Sequence, residues 1–221
     1  MPNIILTKSE EDYIKAIFNL SEFGNKQVST NSISKVLKIE PASVTDMIKK
    51  LSIKKLIYHQ KYKGCKISKK GMKIALQIIR KHRLWEVFLS QTLNFSWDEV
   101  HEVAEELEHV RSEKLMSRLD KFLGFPKFDP HGDRIPSVDL VFSPAKGSAL
   151  TDISSGQSCQ FSAVRDDSSG FLRDLNKIGL KLGMELKILS KENNNINLKC
   201  SNSLKIEIPI ALAKKVYVTI I

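Results

Sequence analysis

The chain has 221 residues, of which 42% are hydrophobic and 27% charged, and its formal net charge is +10. This length suits two modest domains, or two and a small third. No run approaches the roughly 18 apolar residues of a membrane-spanning helix, and the N-terminal stretch MPNIILTKSEED turns charged too early for a signal peptide. The three cysteines (Cys65, Cys159, Cys200) are far apart and in no C-x-x-C arrangement. This argues against a disulfide framework or a zinc ribbon and favours a cytoplasmic protein.

The positive charge is concentrated at the N-terminal end. Residues 1–75 hold 15 Lys+Arg and 6 Asp+Glu, whereas residues 76–221 hold 20 and 19. Such a distribution is typical of a nucleic-acid-binding domain. A solvated lysine-rich surface is the alternative interpretation.

The first predicted elements follow the order of a winged helix-turn-helix. Helical spacing of apolar residues predicts a helix over 8–22 with Ser9 as its N-cap, and a short helix over 30–37. Pro41 suits the first turn of a third helix over 41–56. The segments IYHQ and CKIS flank a basic turn, KYKG (61–64), and predict a β-hairpin. We assign residues 1–72 to this DNA-binding domain.

Three more helices are predicted before a Pro/Gly-rich segment. A long helix begins at Lys69, Ser96 caps a helix over 97–110, and a third helix ends at Gly124. The segment FPKFDPHGDRIP then interrupts helical structure. We assign residues 73–137 to a helical dimerisation domain. Its most apolar surface is expected at Leu84, Trp85, Phe88 and Leu89.

The remainder is predicted to be β-structure. Residues 138–150 are assigned to a linker and residues 151–221 to a small all-β barrel. Short apolar strands such as CQFSAV, MELKILS and NINLKCS alternate there with turns. The predicted fold class is mainly α with a C-terminal β domain.

One predicted helix, HEVAEELEHV (101–110), carries four glutamates and two histidines in a basic chain. At 100° per residue, His101, Glu105, Glu108 and His109 fall within about 100° of one another. Clustered carboxylates repel unless they are protonated, solvated or bridged by a cation. His82 and Glu86 form a similar i, i+4 pair on the preceding helix. These clusters predict a divalent metal site, and a solvated acidic face is the alternative.

The segments RKHRLWEVFL (80–89), HEVAEELEHV (101–110) and RLDKFLGFPKFDPHG (118–132), after a winged helix, resemble the diphtheria toxin repressor family. The similarity is greatest to its manganese-responsive branch, which has a C-terminal SH3-like domain. It extends over about residues 7–136, and LRDLNKIGLKLGMELKI (172–188) is its most recognisable piece in the C-terminal domain. The resemblance implies a homodimeric, metal-activated repressor that binds palindromic operator DNA and controls metal-uptake genes.

The resemblance also implies two sets of metal ligands. The primary site would consist of Asp12, His82, Glu105, Glu108 and His109. In the iron-responsive branch the first and third of these positions carry methionine and cysteine. The hard oxygen donors here favour Mn²⁺, with Fe²⁺ or Zn²⁺ as other candidates. The second site would consist of Glu86, Asp129, His131 and an acid from the C-terminal domain, Asp166, and His101 matches an ancillary ligand of the iron branch.

The third helix is the predicted DNA-recognition helix. Ser43 and Thr45 are expected to touch bases or phosphates, and Pro41 and Ala42 to contact thymine methyl groups. The expected phosphate contacts come from Lys49, Lys61 and Lys63. Because this helix has no arginine or glutamine, DNA shape is expected to carry part of the specificity.

Two other functions compete with this one. Carboxylate–histidine clusters also activate water, so a dinuclear metallohydrolase is one rival. The chain has no nucleophile elbow, P-loop or H-E-x-x-H motif to support it. The second rival is a metal-independent winged-helix repressor, for which the acids are only surface. We expect no enzyme activity and no membrane association.

Overall fold

A computed structural model describes residues 5–60, 63–142, 147–201 and 204–221. The helices within these ranges are α1 (Lys8–Leu20), α2 (Thr30–Leu37), α3 (Pro41–Ile53), α4 (Lys69–Leu93), α5 (Val100–Leu107), α6 (Glu113–Phe122), α7 (Ser169–Ile178) and α8 (Ile210–Ala213). The strands are β1 (Ile57–Gln60), β2 (Gly64–Ile67), β3 (Ser148–Ala149), β4 (Ser158–Val164), β5 (Glu185–Glu192), β6 (Asn195–Cys200), β7 (Lys205–Pro209) and β8 (Val216–Ile220). The predicted fold class, mainly α with a C-terminal β domain, is confirmed. None of the described helices has the length and apolarity to cross a bilayer.

The chain divides into two compact units. The first unit is Met1–His82, Glu108–Arg111 and Pro136–Phe142. The second unit is Arg83–Leu107, Ser112–Ile135 and Ser143–Ile221. Two short segments from the middle of the chain thus belong with the N-terminal residues. The domain boundaries expected from the sequence remain predictions.

The first unit is a winged helix-turn-helix whose helices pack on one apolar core. Ile14, Phe18, Ile33 and Ile48 are buried in this core, and β1 pairs with β2 as the antiparallel hairpin that the sequence predicts. The predicted N-cap of α1 was wrong, because the helix begins at Lys8, two residues earlier than a helix capped by Ser9 would begin. Thr7 caps it through a capping box, in which its side chain accepts from the backbone of Glu10 and the Glu10 carboxylate accepts from the backbone of Thr7.

The segment Pro136–Phe142 packs on the winged helix. Leu140 and Phe142 lie against its core. The Phe142 ring centroid is 6.3 Å from that of Phe18 and 5.2 Å from that of Phe23, and the Arg80 side chain donates to the backbone carbonyl of Pro136. Residues 138–142 of the expected linker are therefore part of the DNA-binding unit, whereas residues 147–150 belong to the second unit.

The helical part of the second unit has its own core. Leu84, Trp85 and Leu89 are buried there against α5 and α6. They therefore do not form the exposed apolar surface that the sequence suggested. Among the exposed large apolar side chains of this region, which are Leu93, Leu115, Phe122, Phe125 and Phe128, the most exposed are Phe122, at 67%, and Phe125, at 63%.

Helix α5 is shorter than predicted. The backbone nitrogen and the hydroxyl of Ser96 both donate to the Glu99 carboxylate, at 3.0 and 2.6 Å. Ser96 thus closes a turn and is not the N-cap. The helix ends at Leu107, so Glu108 and His109 lie beyond it and not on its face.

The C-terminal part of the second unit is a six-stranded antiparallel sheet in the order β3-β8-β4-β5-β6-β7. Its core contains Phe161, Ile188 and Leu198. The expectation of an all-β domain was wrong for residues 169–178, which form α7. Phe171, Leu172 and Leu175 have the spacing of one helix face and are buried.

Candidate metal centre

Two groups of titratable side chains stand out, one in each unit. The first, called here the Glu108 cluster, consists of Glu11, Asp12, Lys15, His82, Glu108 and His109. The second, called here the His131 cluster, consists of Arg83, Glu86, His101, Asp129, His131 and Asp167. The predicted primary and secondary ligands divide between these two clusters, except for Glu105 and Asp166.

Glu108 is the centre of the first cluster, and its side chain is completely buried. Its Oε2 atom is 2.6 Å from Lys15 Nζ and 2.7 Å from His82 Nδ1. Burial opposes ionisation of Glu108, but the hydrogen bond from His82 and the charge of Lys15 outweigh it and lower its pKa. The carboxylate is therefore ionised at neutral pH, as a metal ligand must be.

His109 is held with one ring nitrogen directed at two carboxylates. Its Nδ1 atom donates to Glu11 Oε2 at 2.6 Å, because an ionised carboxylate can only accept. Nε2 is consequently the ring atom left to bind a metal ion, and it lies 3.1 Å from Asp12 Oδ1 and 3.9 Å from Glu108 Oε1.

The Glu108 cluster fits a metal ion. Among the described residues, His109 Nε2 and Glu108 Oε1 are buried without a hydrogen-bond partner. Such atoms are costly unless something binds them. With Asp12 they offer ligand atoms that all lie within 4.8 Å of one another. Two carboxylate oxygens and an imidazole nitrogen, with no sulfur, suit a hard or borderline divalent ion.

The turn that carries Glu108 and His109 is fixed to the first unit on both sides. Lys81 Nζ donates to the carbonyl of Val110 at 3.3 Å, and Arg111 donates to the carbonyl of Leu6 at 2.8 Å. These contacts place the turn beside α1, which supplies Asp12. The position of Glu108 and His109 is therefore fixed by hydrogen bonds to the backbone of their turn as well as by the ion pairs of their side chains.

The His131 cluster is organised by a loop that is pinned to β4. Gly132 has φ +84°, and a Cβ there would lie 2.1 Å from the carbonyl oxygen of Ser162, so only glycine fits. The Val164 amide donates to the carbonyl of His131 at 3.1 Å. Asp129 Oδ1 accepts from the backbone nitrogens of His131 and Asp133, both at 2.9 Å.

Glu86 and two histidines meet at the centre of the His131 cluster. Glu86 Oε1 is 3.5 Å from His131 Nδ1 and 3.6 Å from His101 Nδ1. His131 Nε2 donates to the carbonyl of Trp97 at 2.7 Å, which directs Nδ1 at Glu86. Burial lowers the pKa of His131, but the carboxylates of Glu86 and Asp129 outweigh it and raise that pKa to about 9.

The Asp129 carboxylate already forms an ion pair with Arg83. Its Oδ2 atom is 3.2 Å from Arg83 Nε, so a metal ion would compete with a guanidinium for it. Burial and the Glu86 carboxylate raise the pKa of Asp129 to about 7, although Arg83 opposes them. Glu86, Asp129 and His131 nevertheless offer atoms within 4.8 Å of one another.

Asp166, the expected ligand from the C-terminal domain, lies elsewhere. Its carboxylate is 2.6 Å from Lys215 Nζ and accepts from the backbone of Ser168. The neighbouring Asp167 is the acid that reaches the cluster, with Oδ2 3.3 Å from His101 Nδ1. Glu105 is half-exposed and lies 3.5 Å from His101 Nε2. Its assignment to the primary site remains a prediction.

The predicted DNA contacts lie on the solvent side of the winged helix. Pro41, Ala42, Ser43 and Lys49 on α3 are exposed, Thr45 is half-exposed, and Lys63 in the hairpin is exposed. Thr45 donates its hydroxyl proton to the carbonyl of Pro41 at 3.0 Å, and Lys49 is 3.0 Å from Asp46. Lys61 is outside the described residues. Sequence reasoning missed Glu11, whose only signal was its position beside Asp12.

Models of known protein families match most of the chain. Models described as the N-terminal DNA binding domain and the metal binding and dimerisation domain of the iron dependent repressor match residues 5–65 and 68–137. A model described as the FeoA domain matches residues 149–220.

Individual relatives agree with these models. The transcriptional regulator MntR of Oceanobacillus iheyensis is 33% identical over 124 residues, which are 56% of this chain and 82% of the relative. The iron-dependent repressor IdeR of Mycobacterium leprae is 30% identical over 158 residues, 68% of each chain. A solved manganese-dependent transcriptional repressor in complex with manganese has a TM-score of 0.87 and 30% identity, and the match covers 96% of this chain and 100% of that one.

Proposed function

Because the chain belongs to the iron-dependent repressor family, whose members are metal-dependent transcriptional repressors and not enzymes, we propose that Mn²⁺ activates it to bind palindromic operator DNA as a homodimer. The observation that carries this proposal is the Glu108 cluster. Two buried atoms that have no hydrogen-bond partner in the described part of the chain, Glu108 Oε1 and His109 Nε2, lie beside Asp12 on a helix of the DNA-binding unit.

Asp12, Glu108 and His109 would hold the metal ion, with His82 and Glu105 as further predicted ligands. When bound, the ion supplies positive charge that two carboxylates share. Asp12 would tie α1 to the turn that carries Glu108, and Glu11 would keep the His109 ring in position. The carboxylate oxygens and the absence of sulfur in this set favour Mn²⁺, and Fe²⁺ and Zn²⁺ are the other candidate ions.

The His131 cluster would hold a second ion through Glu86 and His131. His101 and Asp167 are the additional candidates, and Asp129 is available only if Arg83 releases it. This site would combine residues of α4, α5 and the C-terminal domain. Its role would be to fix the arrangement of the second unit.

DNA would be bound by the exposed face of α3. The side chains of Ser43 and Thr45 would contact base edges, and those of Lys49 and Lys63 would contact phosphates. The phosphate contact expected of Lys61 falls outside the described residues. The exposed aromatic side chains Phe122 and Phe125 are candidates for the homodimer interface. A repressor of this kind would act in the cytoplasm, on genes for metal uptake.

Fluorescence anisotropy of a labelled duplex from the promoter of its own gene, or of a metal-transporter gene, tests the proposal. Wild-type protein should bind with Mn²⁺ and lose affinity at least about tenfold in EDTA, which corresponds to about 1.4 kcal/mol of coupling. Asp12→Asn should remove the metal dependence, while Asp139→Asn, an exposed acid in the same unit, should not. Equal affinity in EDTA and in Mn²⁺ would refute the proposal.

A further inference from the structure

A lysine ammonium lies inside the Glu108 cluster. Lysine side chains usually extend to water, but that of Lys15 is only 15% exposed and its Nζ atom is 2.6 Å from Glu108 Oε2. Glu108 is a proposed metal ligand, so this cation shares a carboxylate with the metal ion.

The two oxygens of Glu108 have different surroundings. Oε2 is engaged by Lys15 and His82, at 2.6 and 2.7 Å. Oε1 has no hydrogen-bond partner among the described residues and is 3.9 Å from His109 Nε2. One oxygen is therefore held by the internal cation and the other is directed at the metal ligands.

The ammonium group of Lys15 stabilises the Glu108 carboxylate when no metal ion is bound. A completely buried carboxylate needs a counter-charge, because burial penalises its ionised form. Lys15 supplies that charge, so Glu108 stays in place without a metal ion. A divalent ion that binds Oε1 meets a carboxylate whose charge is already partly neutralised, and the ion and the ammonium repel each other.

We infer that Lys15 is a built-in competitor of the metal ion: it keeps the empty site assembled and weakens divalent binding, so it sets the metal concentration at which the protein responds. The inference rests on the proposed function, since it concerns the same site.

The test compares Lys15→Met with Lys15→Arg and with Lys8→Met, which removes an exposed lysine of the same helix. All three changes are made in full-length protein carrying Glu86→Gln, so that the His131 cluster does not contribute. Mn²⁺ affinity is measured by competition with a fluorescent chelator. Lys15→Met should bind Mn²⁺ at least about tenfold more tightly, whereas Lys15→Arg and Lys8→Met should stay within about twofold of the parent.

Urea unfolding in EDTA gives an independent readout. Lys15→Met should be less stable than the parent, because Glu108 loses its buried partner, and saturating Mn²⁺ should stabilise it more than it stabilises the parent. A lysine with a purely structural role would lower stability and leave Mn²⁺ affinity unchanged.

The outcomes separate this inference from the proposed function. Unchanged or weaker Mn²⁺ binding by Lys15→Met overturns the inference alone, provided that wild-type protein still binds operator DNA only with metal. Absence of saturable Mn²⁺ binding in the parent overturns both.

Discussion

The ion pair between α1 and the end of α3 gives a stability prediction that the structure makes quantitative. The Glu10 side chain is 3% exposed, and its Oε1 atom is 2.6 Å from Lys54 Nζ. Its Oε2 atom accepts from the backbone nitrogen of Thr7 at 3.0 Å. Glu10→Gln keeps an amide oxygen for Thr7 and removes the charge that Lys54 neutralises. Glu10→Ala removes both interactions.

The magnitude follows from these two contacts. A charge-assisted hydrogen bond contributes roughly 1 kcal/mol more than a neutral one, and the Lys54 side chain is 32% exposed, so solvent screens part of that gain. We expect Glu10→Gln to lower the free energy of unfolding by about 1 kcal/mol. For Glu10→Ala we expect about 2 kcal/mol, because half of the capping box is lost as well.

The effect should depend on pH with a definite sign. Burial opposes ionisation of Glu10, but the hydrogen bonds to Lys54 and Thr7 outweigh it and lower its pKa. A carboxyl group whose pKa is lowered by folding stabilises the protein above its unfolded pKa, and this stabilisation is lost as the pH falls through the folded pKa. The difference between wild type and Glu10→Gln should therefore be constant near neutral pH and shrink below about pH 4.3.

Urea denaturation in EDTA, followed by far-ultraviolet circular dichroism at several pH values, measures this difference. Glu22→Gln is the matched control, because Glu22 pairs with Lys26 at positions where both side chains are more than half exposed. Its effect should be below about 0.5 kcal/mol. The reasoning fails if Glu10→Gln is as mild as this control at neutral pH, or if its effect persists undiminished in acid.

Three other substitutions probe the rest of the molecule. Lys49→Gln should weaken operator binding about equally for all sequences and reduce the salt slope of the affinity by about one, as measured by anisotropy across a salt series. Gly132→Ala should destabilise the second unit by about 2 kcal/mol, since alanine is strained at this φ and its Cβ meets the carbonyl of Ser162; calorimetry would detect it, and an unchanged melting temperature would contradict the steric argument. Leu84→Ala should cost about 3 kcal/mol through a cavity in the core of a single chain, so the loss should not vary with protein concentration, as it would if Leu84 stabilised only a dimer.

The secondary structure of segments with regular apolar spacing was predicted well from the sequence. The bounds of α2 and the extent of α4 agree with the prediction, because apolar spacing within each segment determines them locally. For α5 the same reasoning extended the helix through Glu108 and His109. Their burial in the first unit, with partners on α1 and α4, outweighs the local preference for continuing the helix.

The parts of the candidate centre that the sequence did not reveal depend on distant partners. Lys15 and Glu108 are 93 residues apart, and Glu11 and His109 are 98 apart. The residue pattern on the polar face of one helix does not indicate which distant side chain it will contact. Similarly, Asp166 and Asp167 are adjacent acids, and the choice between them depends on Lys215, 49 residues further along.

The packing of residues 136–142 on the winged helix limits how this chain can be recombined with its relatives. A chimera that joins one relative's DNA-binding domain to another's C-terminal domain at the end of α6 would separate Phe142 from Phe18 and Phe23, with which it forms an aromatic cluster. The junction should fall after Phe142, so that residues 136–142 and the winged helix come from the same relative. For the same reason, positions 23 and 142 should change together in evolution, although 118 residues separate them in the sequence.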